Sequence, residues 1–144
     1  MTAYDRISKF MGFDSPGPVA DPREATRHRG TQPWHVVGDA GEPAFQNGWV
    51  NDASFYETRF LRDDYGLVHI TSEDMQRSVS AGSVVFTLPV GFRPPQRLAA
   101  RVMVGTSIGF ANTVGRLDIL TNGQVVAQTN AKAIGLTEVR FRVA

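Results

Sequence analysis

Arg116-Leu117-Asp118-Ile119-Leu120-Thr121-Asn122-Gly123-Gln124-Val125-Val126-Ala127 reads as two strands joined by a tight turn. Leu117 and Ile119 alternate with Arg116 and Asp118, the two-residue period of a strand with one buried and one wet face. Asn122-Gly123 supplies the positive φ angles of a two-residue hairpin turn, and Val125 and Ala127 resume the apolar face beyond it. The stretch therefore predicts an antiparallel pair.

The same alternation closes the chain: Val139, Phe141 and Val143 share one face, Glu138, Arg140 and Arg142 the other. A second turn is marked by Asp63-Asp64-Tyr65-Gly66, between a strand carrying Tyr56 and Phe60 and one carrying Leu67, Val68 and Ile70. Runs rich in Val, Ile, Thr and Phe, bounded by Gly, Asn, Asp and Pro, follow one another from Trp34 onward. They are residues 34–37, 44–50, 55–62, 67–71, 83–88, 98–104, 116–121, 125–129 and 137–143. With no helical stretch between them, the expectation is an all-β domain, an antiparallel β-sandwich or jelly roll.

Residues 1–33 differ from the rest. Pro16, Gly17, Pro18 and Pro22 fall in a stretch without apolar periodicity, which reads as a linker. Ahead of it Tyr4, Ile7 and Met11 recur at helical spacing beside Phe10, with Thr2 as N-cap and Gly12 as stop. A helix this short is marginal alone in water. Tyr4, Ile7, Phe10 and Met11 are thus either a docking arm, helical or extended, that orders on a partner, or a frayed terminus. The organisation expected is an arm over 1–33 and a β-domain over 34–144.

Composition excludes several functions. The chain has 144 residues, 42% of them apolar, enough for one domain with its own core. It has no cysteine, hence no disulfide framework and no thiolate chemistry. Fifteen Lys and Arg against fourteen Asp and Glu leave a formal charge of +1, without the basic excess that drives nucleic-acid binding. The N-terminus shows no signal-peptide pattern and no apolar run reaches membrane-spanning length, so neither export by such a signal nor membrane insertion is expected.

Chemical motifs are missing too. His28, His35 and His69 lack metal-ligand spacing; His35 and His69 fall inside strands and read as satisfied sheet positions. Ser83 sits in no nucleophile elbow, and Gly105-Thr106-Ser107-Ile108-Gly109 has no phosphate-loop lysine. Glu57, Asp63, Asp64, Glu73, Asp74 and Asp118 are the carboxylates from which a glycosidase pair could come, but they read mostly as turn residues, and Asp63-Asp64 lacks the ligand series of a calcium loop. No catalytic residue, metal site or cofactor is expected. What remains is aromatic: Trp34, Trp49, Tyr56 and Tyr65, with Phe92, as platforms for a sugar ring or a partner chain. For Trp34, Trp49 and Phe92, packing in the core or between subunits is the competing use.

Three further stretches carry a resemblance: Gly41-Glu42-Pro43-Ala44-Phe45-Gln46-Asn47-Gly48-Trp49, Gly66-Leu67-Val68-His69-Ile70, and Phe86-Thr87-Leu88-Pro89-Val90-Gly91-Phe92-Arg93-Pro94. Together they resemble the β-rich modules of bacteriophage tail-fibre and minor tail proteins, particularly those of actinobacterial hosts. The last run has its own logic: Pro89 ends a strand, Gly91 permits a tight bend and Pro94 keeps Arg93 extended, so it encodes a corner. The resemblance implies a non-enzymatic virion component at the tail, assembling as a homotrimer, bound to other virion proteins through the arm and contacting a host-surface glycan. A capsid decoration or head-fibre protein is the alternative, and a glycan-hydrolysing depolymerase fragment a third.

Overall fold

The computed structural model describes residues 32–77, 83–106, 112–127 and 131–143. Tyr4, Ile7, Phe10 and Met11 lie outside them. Within the unit Pro33–Ala144 the strands are β1 (His35–Val36), β2 (Val50–Asn51), β3 (Arg59–Arg62), β4 (Leu67–Gln76), β5 (Ser83–Thr87), β6 (Leu98–Gly105), β7 (Thr113–Ile119), β8 (Gln124–Ala127) and β9 (Ala133–Arg142). Among the described residues there is no helix, and every strand pair is antiparallel. The all-β, antiparallel reading holds.

The strands pair in the order β1-β3-β4-β9-β6-β7-β8-β5, with β2 also on β4. β4 and β9 pair from Leu67 opposite Arg142 to Gln76 opposite Ala133. β6 meets β9 only through Met103, Val104 and Gly105, opposite Gly135, Ile134 and Ala133, whereas its pairing with β7 runs its whole length to Leu98. Beyond Met103 the two strands part. The sheet therefore curls into two layers, β1-β3-β4-β9 and β6-β7-β8-β5, joined at one end.

Apolar faces fill the space between the layers. Phe60 of β3 stacks on Phe86 of β5 with ring centroids 6.4 Å apart, although the two strands stand near opposite ends of the pairing order. Val139 and Phe141 of β9, Leu117 and Ile119 of β7, and Val125 of β8 are buried with them. Glu138, Arg140 and Arg142 face solvent, as the alternation predicts. Each such side chain contributes about 1.5–3 kcal/mol by leaving water, so closing the layers is what burial drives.

Some sequence expectations need correction. Leu120 N–H donates to Gln124 O and Gly123 N–H to Leu120 O, both at 2.9 Å, so the β7–β8 loop has three residues rather than two. Only Gly123 has a positive φ there, 91°, which makes it the glycine of a bulged hairpin loop. The β3–β4 loop is built alike: Asp63 N–H donates to Leu67 O at 2.9 Å, Gly66 N–H to Asp63 O at 3.1 Å, and Gly66 has φ 80°. The expected strand 44–50 shrinks to Val50–Asn51, because Asn47 (φ 56°) and Gly48 (φ 78°) make a turn closed by Trp49 N–H on Gln46 O at 3.2 Å. The strand expected from Phe55 starts at Arg59, since the Asp52 carboxylate accepts Ser54 N–H at 2.9 Å and turns the chain. Conversely β4 and β9 outrun the stretches 67–71 and 137–143.

The Leu88–Pro94 run does form a corner, and it fastens two hairpins. Phe92 N–H donates to Pro89 O at 3.1 Å, with Gly91 at φ 94° inside the turn. Arg62 Nη1 at the end of β3 donates to Gly91 O at 3.0 Å, and Leu88 N–H donates to Gly123 O at 2.8 Å. Phe92 stands edge-on to Phe60 at 5.2 Å and to His35 at 5.3 Å, so it packs rather than projects.

Candidate binding groove

The β4–β9 register shifts between Ile70 and Ser72 and again between Ser72 and Met75. Such bulges bend a strand pair and re-aim its side chains. They fall beside the point where β6 leaves β9, and a groove of about 430 Å³ opens there, lined by Tyr56, Arg59, Thr71, Ser72, Glu73, Met103, Gly135, Leu136 and Thr137. A second hollow of about 250 Å³ shares Met103, Gly135, Leu136 and Thr137 and runs on past Arg101, Val102, Val114 and Glu138. The two make one continuous depression along the parting of β6 and β9.

One wall carries an aromatic ring, Tyr56, with Trp34 close by across the Arg59 guanidinium. The Arg59 guanidinium lies 4.4 Å from the Trp34 ring centroid and 5.9 Å from that of Tyr56. Trp34 is 37% exposed and Tyr56 70%, so both rings keep surface for a ligand. Arg59 Nε is buried without a hydrogen-bond partner among the described residues, an unspent donor beside the groove. Tyr56 is held to β4 by its own N–H on Glu73 Oε2 and by Glu73 N–H on its carbonyl, both at 3.5 Å. Behind it Thr58 and Ser72 share a buried hydroxyl–hydroxyl bond of 2.9 Å.

The charges in the depression are balanced: Arg59 and Arg101 against Glu73 and Glu138. Stacking surface, a guanidinium fork and carboxylate acceptors in one concave site suit a ligand rich in hydroxyls and without strong net charge.

Of the four aromatic candidates, the structure brings two to the Arg59 guanidinium, Tyr56, which lines the groove, and Trp34, which is not among its lining residues. Trp49 takes the competing use, packing: it is 1% exposed, its indole N–H donates to Ser83 Oγ at 3.3 Å, and the Arg77 guanidinium sits 4.6 Å from its ring. It is a core residue, placed inside by the Asn47-Gly48 turn. Tyr65 is 74% exposed at the tip of the β3–β4 loop, at the far end of β3 from Arg59. Arg59, Met103 and Thr137 escaped the sequence reading, and Glu73 entered it only as a carboxylate read as a turn residue. Nothing local marks them, since they meet only where the bulges and the β6–β9 divergence coincide.

The remaining polar groups are mostly spoken for. His69 Nε2 is 2.9 Å from Asp63 Oδ2 and its Nδ1 is 2.6 Å from Glu138 Oε1. Burial alone would lower its pKa, but bonds to two carboxylates raise it above the ordinary histidine value, and the same contact holds Asp63 below the usual carboxylate range despite its own burial. Asp118 is likewise held low against burial, by Arg116 at 2.6 Å and by Arg97. Glu73, Asp74 and Asp118 lie in strands, not turns. His35 sits on Phe60, centroids 5.1 Å apart, with Nδ1 2.9 Å from Glu42. Among the described residues no three His, Cys, Asp or Glu side chains are placed to hold a metal.

The chain matches no protein-family model and no curated protein. Among solved structures it is similar to the receptor binding protein (gp15) of Listeria phage PSA, with a TM-score of 0.63 and 12% sequence identity over 100% of this chain and 88% of that one. At that identity the likeness is one of fold.

Proposed function

We propose that this chain is a receptor-binding module of a bacteriophage virion, carried at the tail, which grips a host-surface glycan in the groove between Tyr56, Arg59 and Glu73. The observation that carries the reading is the fold likeness along the whole chain to a phage receptor binding protein. The tail-module motifs support it independently, and so does a groove whose aromatic wall and balanced charge match a polyhydroxylated ligand. The module works as a homotrimer and attaches to neighbouring virion proteins through residues 1–33, by binding and not by catalysis.

The groove is tested by retention of the purified chain on cell walls and cell-wall glycans from actinobacteria and other Gram-positive bacteria. Tyr56→Ala and Arg59→Ala should each weaken retention at least tenfold, about 1.4 kcal/mol, while Tyr65→Ala leaves it unchanged. Loss on Tyr65→Ala alone would move the site to the β3–β4 loop tip. No retention by the wild-type chain on any preparation would remove the adhesion reading. Light scattering should return a mass three times the 15.8 kDa chain; a monomer at all concentrations would remove the trimer.

A further inference from the structure

The segment that carries Tyr56 into the groove wall rests on β4 through a pair of carboxylates. Val50 and Asn51 of β2 stand opposite Gln76 and Met75, and Asp52 N–H continues the ladder with a 3.0 Å bond to Asp74 O. Asp52 and Asp74 are therefore cross-strand neighbours, whose side chains lie within reach of one another. Asp74 is 5% exposed, and its Oδ1 has no hydrogen-bond partner among the described residues. An ionised carboxylate so placed has one oxygen unsolvated and unpartnered and stands beside a like charge, a costly combination that protonation or exposure relieves.

The groups around it offer no compensation. β9 sets Ile134, Gly135 and Leu136 along this part of β4, with no ionisable side chain. Within β4, Glu73 is exposed beside Tyr56, and the Arg77 guanidinium that follows the strand lies over the Trp49 ring and donates to Ala131 O at 3.2 Å and to Ser83 Oγ; among the described residues its Nη2 is left without a partner, yet it makes no ion pair with Asp74. No ion pair to Asp74 occurs among the described residues. The charge facing it is Asp52.

We infer that Asp74 is a protonation latch for the groove: neutral, it keeps the Asp52–Thr58 segment seated on β4 with Tyr56 in the wall, and ionised, it releases that segment. Burial first, and then the Asp52 charge, push the Asp74 carboxyl up to about 6, so the change falls in the mildly acidic range. The release is local. Among the described residues Tyr56 itself bonds β4 through the two 3.5 Å bonds to Glu73, and the segment is anchored at its ends by Asp52 N–H on Asp74 O, by the Thr58–Ser72 pair and by Val37 N–H on Thr58 O at 2.9 Å, whereas β4 itself is held along its length by β3 and β9. Segments with few buried contacts open at a small fraction of the global cost. The functional consequence, tighter ligand retention below the transition than above it, rests on the groove being the binding site.

Hydrogen exchange of the intact chain, corrected for intrinsic rates and compared at about pH 5 and about pH 7.5, tests the latch. The amides of Asp52 and Glu73, which donate to Asp74 O and Tyr56 O, should lose protection at least tenfold at the higher pH, while those of the β4–β9 ladder hold. Asp74→Asn should keep both amides protected at both pH values. Asp52→Asn, which removes the like charge and leaves Asp74 in place, should move the loss of protection to lower pH, so the test survives if the first variant folds poorly. Equal protection at both pH values, or an unchanged pH dependence in the variants, overturns the latch. Because the exchange is read without ligand, a working latch with no glycan retention refutes only the binding reading, and retention with a pH-independent segment refutes only the latch.

Discussion

Gly123→Ala should destabilise the domain by about 3 kcal/mol or more in urea unfolding, with the m-value unchanged. Two costs combine. Gly123 has φ 91°, where an L side chain brings Cβ against the following carbonyl at about 1–2 kcal/mol. The added Cβ would also lie 2.4 Å from Leu88 O and 2.7 Å from Arg93 Nε. Neither can withdraw cheaply: Leu88 N–H donates to Gly123 O at 2.8 Å, and Arg93 Nε donates to Leu88 O at 2.9 Å. Moving Leu88 breaks the bond that fastens the Leu88–Pro94 corner to the β7–β8 hairpin.

Gly41→Ala is the control, because Gly41 has φ 81° but nothing within 4 Å of its would-be Cβ. It should show the backbone cost alone, about 1 kcal/mol. A Gly123→Ala loss no larger than that of Gly41→Ala would mean that the corner and the hairpin are not interlocked. The interlock gives the corner run its physical meaning: it needs a bend at Gly91 and a second glycine about thirty residues later to receive it.

What could be read in the sequence were the features set by nearest neighbours. Alternation placed Leu117, Ile119, Val139 and Phe141 inside, and Asp63–Gly66 and Asn122-Gly123 marked both hairpin loops. Even there the loop length was off by one, because a single left-handed glycine after a right-handed turn closes a hairpin as well as two left-handed residues do. Asn47-Gly48 is the same signal inside a run that otherwise looks like strand, and the turn it makes decides between the two uses read for Trp49, in favour of packing. The groove was out of reach for a different reason. Register shifts in β4–β9 and the short β6–β9 ladder are long-range pairings that no local pattern encodes, so Tyr56 and Trp34 were visible as aromatic candidates and Glu73 as a carboxylate, but Arg59, Met103 and Thr137 had nothing to recommend them.

Asp74→Asn should raise global stability near pH 7.5, by at most about 3 kcal/mol, and leave it nearly unchanged near pH 4. The folded-state value of about 6 exceeds the ordinary 3.8 by about two units, each worth about 1.36 kcal/mol. A carboxyl whose pKa is raised by folding contributes its stability fully below 3.8 and loses it as pH rises through about 6. The wild-type curve should therefore fall across that interval and the variant's should not, in urea midpoints taken from about pH 4 to 8. His69, also raised, adds a shallower fall above its ordinary 6.5 that both proteins share, while Asp63 and Asp118, held low, act the other way below 3.8. A gain that is absent, or equal at every pH, would mean that Asp74 is hydrated or paired in solution. The size of the gain also reports on the latch. If the Asp52–Thr58 segment lifts when Asp74 ionises, the wild type trades the desolvation penalty for the lesser cost of undocking that segment, and the measured gain settles at that lesser cost. A full gain near 3 kcal/mol would mean that the segment stays seated and the charge is endured; a smaller gain with exchange confined to Asp52 and Glu73 would measure the free energy that holds Tyr56 in the groove wall.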